Sequence, residues 1–335
     1  MSIQPVISVK SLTKIFHSRK RKPGFLGSIT GLVGGEKIET RAVDHVSFEI
    51  APGELVGYLG PNGAGKSTTI KMLTGILQPS SGEIRIDGFD PTRQRRDVAR
   101  RIGVVFGQKT QLWWDLPVRE SYDLLRMIYR IPKDVFRKRM DYFISLLGLG
   151  DFLDQQARKL SLGQRMRSDL AASLIHDPPI LFLDEPTIGL DILTKDIVRQ
   201  TIRQLNKDRG ITVILTTHDM DDIEFLASRL ILLDKGKVQY DGVIDSFIQK
   251  YQINKVVTIY LENEIADIRP ALNGFQLVGS HANRRFEFEI PKEESVAPLI
   301  EWFGSQGGRI QEINVRKEEL SDTLKGIYAG KNLEL

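Results

Sequence analysis

Residues Gly60, Pro61, Asn62, Gly63, Ala64, Gly65, Lys66, Ser67 and Thr68 run G-P-N-G-A-G-K-S-T, which fits the phosphate-binding pattern G-x-x-x-x-G-K-[ST]. The apolar run Leu55–Leu59 precedes it and reads as a buried strand, while Thr69-Ile70-Lys71-Met72-Leu73 follows with the spacing of a helix's first turns. That strand–loop–helix context gives the motif its meaning. The glycines let backbone N–H groups turn inward around a phosphate, and the helix N-terminus adds its dipole and unpaired donors. Lys66 would reach the β- and γ-phosphates, and the Ser67 hydroxyl would ligate Mg²⁺. The stretch predicts a domain that binds a nucleoside triphosphate.

Working outward, Val6–Lys14 and Ala42–Ile50 read as strands, joined by a long connection, Phe16 to Thr40, rich in glycine and basic residues. Short strands follow at Glu83–Ile86 and Ile102–Phe106, then helical patterns at Arg119–Tyr129, Lys133–Leu147 and Leu162–His176. Alternating β and α segments return at Ile180–Asp184, Leu193–Asp208, Ile211–Thr216, Asp219–Ala227 and Leu230–Leu233. Strands alternating with helices around a phosphate loop imply a mainly parallel sheet covered on both faces. The helices from about 115 to 176 interrupt it as an inserted helical subdomain. The composition shifts near Gly242–Lys250, so residues 1–250 are expected to form one domain and 251–335 a small α+β appendage. The appendage should hold strands at Val256–Leu261, Phe275–Gly279, Arg285–Ile290 and Arg309–Arg316, and helices at Ser295–Ser305 and Glu318–Ala329, with a short one at Ile265–Leu272.

Composition narrows the class. With 41% apolar and 27% charged residues the chain reads as an ordinary globular protein, and its longest apolar runs are too short to cross a bilayer. No N-terminal signal pattern is evident, and the absence of cysteine excludes thiol chemistry and fits the cytosol. The net charge of +4 is modest, but Arg19–Lys22 and the Arg93–Arg101 region are basic clusters. Nucleic acid or an anionic membrane surface could attract them; for the second cluster a solvated loop and a solvated helix face explain it at least as well.

Ile180-Leu181-Phe182-Leu183-Asp184-Glu185-Pro186 is an apolar strand ending in two carboxylates. Alone, such a pair is a loop start or a helix cap. Beside a phosphate loop it reads as catalytic, with Asp184 helping to hold Mg²⁺ and Glu185 polarising a water for in-line attack on the γ-phosphate. Leu160-Ser161-Leu162-Gly163-Gln164 precedes a helix and resembles the signature motif of ATP-binding-cassette (ABC) proteins, usually Leu-Ser-Gly-Gly-Gln. Leu162 stands where glycine is usual.

The resemblance extends through six ordered motifs over roughly residues 6 to 245. It implies a P-loop NTPase cassette: a mainly parallel sheet core, an antiparallel β subdomain and an inserted helical subdomain, here with a C-terminal α+β domain. It further implies that Ser161, Gly163 and Gln164 face ATP held by a second copy of the chain. Gln108 resembles the glutamine-loop residue that contacts Mg²⁺ or the attacking water. Asp191, in Ile188-Gly189-Leu190-Asp191, matches the D-loop residue that couples the two sites. His218, in Thr216-Thr217-His218-Asp219, resembles the switch histidine on the γ-phosphate. Phe16 sits where the family places an aromatic on adenine, although a strand-end aromatic also serves as core.

The compact spacing of Lys66 and Ser161 fits transporter cassettes rather than coiled-coil relatives. The resemblance therefore implies an ATP-hydrolysing subunit, a homodimer bound peripherally to the cytoplasmic side of a separate membrane permease; nucleic acid is not an expected partner. The signature variant and C-terminal domain resemble drug- and polysaccharide-exporter cassettes, which favours export. An importer cassette and a non-transport ABC ATPase are the alternatives. Of Trp113 and Trp114, one ring is expected to be buried and one to line the groove for the permease. In residues 19–35 the apolar stripe Phe25, Leu26, Ile29, Leu32, Val33 argues for an amphipathic helix on the membrane or permease, and five glycines argue for a loop. The appendage should dimerise the chain, bind a regulator or pack on the sheet.

Overall fold

Five short strands owe their position to β-branched and leucine-rich runs with no polar face. In the computed structural model, which describes residues 4–19, 37–107, 109–217, 219–251, 254–265, 275–317 and 324, the runs LVGYL and TVILT are buried at every position. Such strands must be covered on both sides, and parallel pairing with crossover helices achieves that.

The strands in chain order are β1 (Ile7–Arg19), β2 (Lys37–Ile50), β3 (Leu55–Leu59), β4 (Ser81–Ile86), β5 (Ile102–Phe106), β6 (Ile180–Asp184), β7 (Thr212–Thr216), β8 (Arg229–Asp234) and β9 (Lys237–Val243). One sheet runs β5-β6-β7-β3-β8-β9, parallel except for β9; a second, antiparallel, runs β2-β1-β4. The helices are α1 (Lys66–Leu73), α2 (Arg95–Arg101), α3 (Val118–Ile128), α4 (Lys133–Leu147), α5 (Leu162–Leu174), α6 (Ile192–Arg209) and α7 (Met220–Leu226). One apolar core joins the two sheets through Ile7, Val43, Ile50, Val56, Tyr58, Ile70, Ile84 and Phe182. The parallel-rich core, the antiparallel sheet and the inserted helices are the architecture expected from the sequence.

Two differences from the sequence reading have local causes. Pairing of β1 with β2 continues to Arg19 opposite Lys37, so both ends of the expected connection are strand. The segment Lys237–Val243 is a strand because Lys235 and Gly236, both at positive φ (47° and 80°), close a two-residue hairpin with β8. The arginine-rich segment Arg95–Arg101 is a helix whose one buried residue is Val98, in keeping with the solvated helix face offered for it by the sequence. The stripe at 24–33 and the helices expected at Ile265–Leu272 and Glu318–Ala329 lie outside the described residues, apart from Ile265, which is buried, and Leu324.

The chain divides into two compact units, Met1–Val243 and Ile244–Leu335. The second contains α8 (Ile244–Tyr251), β10 (Asn254–Leu261), β11 (Gln276–His281), β12 (Arg285–Pro291), α9 (Ala297–Ser305) and β13 (Ile310–Lys317). Its antiparallel sheet runs β11-β12-β10-β13, with a core of Val257, Ile259, Phe286, Phe288, Leu299 and Phe303. Among the described residues no helix is long and apolar enough to cross a membrane.

Candidate functional site

The phosphate loop leaves β3 at its C-terminal end and enters α1 directly, with Gly65 as the helix N-cap. Gly65 has φ 105°, and a Cβ there would stand 2.4 Å from the Ala42 carbonyl oxygen. No side chain fits. Lys66 curls back over the loop, its Nζ donating to the carbonyl oxygens of Gly60 at 2.6 Å and Pro61 at 3.1 Å. Burial lowers the Lys66 pKa, and the carboxylates of Glu185 and Asp184 pull it the other way. The side chain is 8% exposed, so its charge is aimed into the site rather than into solvent.

Asp184 ends β6 between two hydroxyls. Its Oδ1 accepts from Thr216 Oγ1 on β7 at 2.6 Å and from Ser67 Oγ on α1 at 3.3 Å. Three elements thus converge on one carboxylate, as the parallel register of β6 with β7 requires. Glu185 follows in a left-handed conformation, φ 55°, its N–H donating to the Thr216 carbonyl at 2.9 Å. For a non-glycine residue this backbone costs about 1–2 kcal/mol, strain of the kind that gathers where a side chain must be aimed.

A pocket of about 420 Å³ opens here, lined by Ser67, Lys71, Phe106, Lys109, Asp184 and Glu185 among others. Lys71 and Lys109 carry no motif and escape the sequence reading; each lies within a turn of a residue that does, Ser67 and Gln108. Gly107 also acquires a reason. A Cβ on it would stand 2.2 Å from the Glu185 carbonyl oxygen, and its N–H donates to the Asp184 carbonyl at 2.8 Å.

The signature segment is built from a second helix start. Ser161 caps α5 in a capping box: its Oγ accepts from Gln164 N at 3.2 Å, and Gln164 Oε1 accepts from Ser161 N at 2.9 Å. Gln164 therefore holds its own helix end. Gly163 faces α6 closely, for a Cβ on it would lie 2.9 Å from Thr194 Cγ2. Asp191 caps α6, accepting from Thr194 N at 2.9 Å and Thr194 Oγ1 at 2.7 Å; these bonds hold its pKa below the usual carboxylate range. Leu162 packs beside Gly189, where a Cβ would come within 3.1 Å of Leu162 Cδ2. The signature and Ile188–Asp191 thus form one surface.

Gln108 and His218 lie outside the described residues. Their neighbours are well tied: Thr217 Oγ1 donates to the buried Asp222 at 3.1 Å, and Asp222 also takes bonds from Arg199 and Thr187. Phe16 belongs to β1, opposite Thr40, with its ring exposed and Lys14 Nζ 5.2 Å from its centre. Trp113 and Trp114 are both exposed, 39% and 51%, so neither is the buried ring expected; the buried apolar side chain of this turn is the adjacent Leu112.

Residues 43–188 match the ABC transporter family. The chain is 34% identical over 233 residues to the ABC transporter ATP-binding protein NatA of Bacillus subtilis, covering 70% of this chain and 94% of that one. It is 40% identical over 203 residues to the daunorubicin/doxorubicin resistance ATP-binding protein DrrA of Streptomyces peucetius, 61% of each chain. Among solved structures, the post-hydrolysis dimer of the ATP-binding cassette MJ0796 with ADP and Pi matches at TM-score 0.59 and 29% identity, over 71% of this chain and 98% of that one.

Proposed function

The chain belongs to the ABC transporter family as an ATP-binding subunit, and on that premise we propose that it powers export of a substrate through a separate membrane permease, peripheral on the cytoplasmic face. It is an ATP-hydrolysing cassette of a family whose cassettes act as dimers with permease partners. In this reading two copies enclose two ATP molecules, each held by Gly60–Thr68 of one copy and by Ser161, Gly163, Gln164 and Asp191 of the other.

The observation that carries the reading is the convergence of Ser67, Asp184 and Glu185 on one pocket, with Lys66 near enough for both carboxylates to act on its charge. Ser67 Oγ and Asp184 Oδ1, 3.3 Å apart, are hard oxygen donors of the kind Mg²⁺ takes in phosphate sites. They would hold the ion, which when bound neutralises charge on the β- and γ-oxygens. Lys66 would reach the same oxygens, exchanging its bonds to Gly60 and Pro61 for the phosphates. Glu185 would accept the proton of a water attacking the γ-phosphorus in line with the leaving β-oxygen. Gln108 and His218 are assigned to the water and the γ-phosphate by resemblance, and Phe16 to the adenine.

Export is favoured by the similarity to a drug-resistance cassette. The helices between about 115 and 176 would face the permease, with Trp113 and Trp114 exposed there as large apolar anchors. The second unit we assign to dimerisation or regulation. Lys66→Ala should remove ATP binding and transport together, while the chain still sediments with membranes that contain the permease. Transport that survives Lys66→Ala, or a chain that never joins those membranes, contradicts the reading.

A further inference from the structure

The sheet of the second unit has two outer strands, and only one of them is guarded. It runs β11-β12-β10-β13, so among the described residues β11 and β13 each have a neighbouring strand on one side only. A free edge presents a row of unpaired N–H and C=O groups, and proteins blunt such edges with short strands, bulges or charge. β11 is blunted: it has six residues, and its register against β12 shifts between Leu277 and Gly279. β13 has eight residues and pairs with β10 without a shift from Glu312, opposite Tyr260, to Lys317, opposite Lys255. It is a long, straight edge.

The side chains of β13 divide by face. Ile313 and Val315 lie opposite Ile259 and Val257, on the face of the apolar core. Ile313 packs against that core, whereas Val315 is 51% exposed, a β-branched side chain left open to solvent. Glu312, Asn314 and Arg316 lie opposite Tyr260, Thr258 and Val256, on the other face, and are exposed. This order is self-complementary. When β13 is laid antiparallel on that of a second copy, with Asn314 opposite Asn314, Glu312 meets Arg316, Arg316 meets Glu312, and Val315 meets Ile313. Directly opposed residues are the side-chain neighbours that matter between antiparallel strands, where opposite charges stabilise the pair and like charges destabilise it. Registers centred on Ile313 or Val315 lose both ion pairs.

We propose that β13 is the surface by which the second unit pairs with that of another copy, the two sheets joining into one of eight strands about a two-fold axis at Asn314. This deepens the dimerisation assigned to the second unit above and rests on that reading. The two-fold makes every interaction occur twice. The apolar face runs on across the axis through Ile313, Val315 and their copies, so the exposed valine is covered. An edge of this length buries less than a standard interface, so the contact is weak by itself and exchanges. None of its residues lines the ATP pocket, so it forms without nucleotide.

The chain has no cysteine, so single cysteines report the register in the full-length protein without nucleotide. Opposed residues of an antiparallel pair have Cα atoms about 4.5–5.5 Å apart, within disulfide reach. Asn314→Cys should therefore give a disulfide-linked dimer on mild oxidation. Gln311→Cys should not, because Gln311 lies opposite Lys317 in this register and its two copies stand about 20 Å apart. Nor should Val278→Cys on the β11 edge, although Val278 is 45% exposed. Sedimentation of the parent at high concentration should show a monomer–dimer equilibrium. Glu312→Arg, which sets arginine against arginine twice, should weaken it about tenfold, and Glu312→Arg with Arg316→Glu should return it to within about threefold of the parent. Equal cross-linking at all three positions, or a double variant as weak as the single, overturns the proposal. A nucleotide-free dimer that Asn314→Cys does not link and the charge variants do not weaken overturns this contact but leaves dimerisation through another surface. A chain that stays monomeric without nucleotide overturns the contact and the dimerising role of the second unit together.

Discussion

Gly107→Ala is the smallest change with the largest expected consequence. The added methyl would lie 2.2 Å from the Glu185 carbonyl oxygen and 3.1 Å from that of Asp184. Relief to an ordinary contact requires roughly 1 Å of movement, and overpacking of this kind costs about 1–3 kcal/mol. Both neighbours are fixed, Glu185 by its bond to Thr216 and Gly107 by its bond to the Asp184 carbonyl. The movement therefore displaces Glu185 from the water it is to polarise. A misplacement of about 1 Å lowers a positioned reaction about 100-fold, close to 2.7 kcal/mol of barrier. Gly60–Lys66 are untouched, so ATP affinity should stay within about threefold. Steady-state ATPase assays alongside equilibrium nucleotide binding separate the two quantities. A Gly107→Ala chain hydrolysing within twofold of the parent would refute the reasoning, because Glu185 would then tolerate a shift the mechanism forbids.

Further expectations concern stability. Arg199→Met leaves Asp222, fully buried, without its cation, and removing one partner of such a pair costs about 3–5 kcal/mol; urea unfolding measures it, and a loss below 1 kcal/mol contradicts the assignment. Two buried groups should titrate against each other. Burial raises the Asp169 pKa from 3.8 to about 6, so its contribution is present at low pH and is lost as pH rises through 6. Burial lowers the His176 pKa from 6.5 to about 4, so its contribution is present above 6.5 and is lost as pH falls toward 4. Between pH 7 and 5 acidification gains about 1 kcal/mol from the first and loses about 2 kcal/mol from the second. Asp169→Asn should therefore lose more stability on acidification than the parent, and His176→Gln should gain. Parallel unfolding curves for all three at pH 5 and 7 would count against both shifts.

The motifs were legible wherever chemistry and backbone demand the same residues. Gly65 must be glycine for the turn, and Ser161 must be a cap, so the phosphate loop and signature announce themselves in any strand–loop–helix context. Asp184 at the end of ILFLD was readable for the same reason. What escaped depends on contacts between distant segments. Lys71 and Lys109 look like any solvated lysines until β5, β6 and α1 are brought together around one pocket. Asp169 reads as a polar position on an ordinary helix, and only the return of Thr110 and Gln111 makes it a buried acceptor. The strand Lys237–Val243 was hidden because its turn is Lys-Gly rather than the Asn-Gly that usually marks such hairpins.

Glu185→Gln addresses the central claim most directly. The amide preserves shape and the loop's backbone but cannot take the proton of the attacking water. Turnover should fall by two to four orders of magnitude, about the share of a general base, while ATP binding persists and the ATP-bound chain accumulates as a dimer in size-exclusion chromatography. Hydrolysis near the parent rate, with no ATP-dependent dimer, would contradict the assignment of this pocket as the catalytic half of a two-copy site.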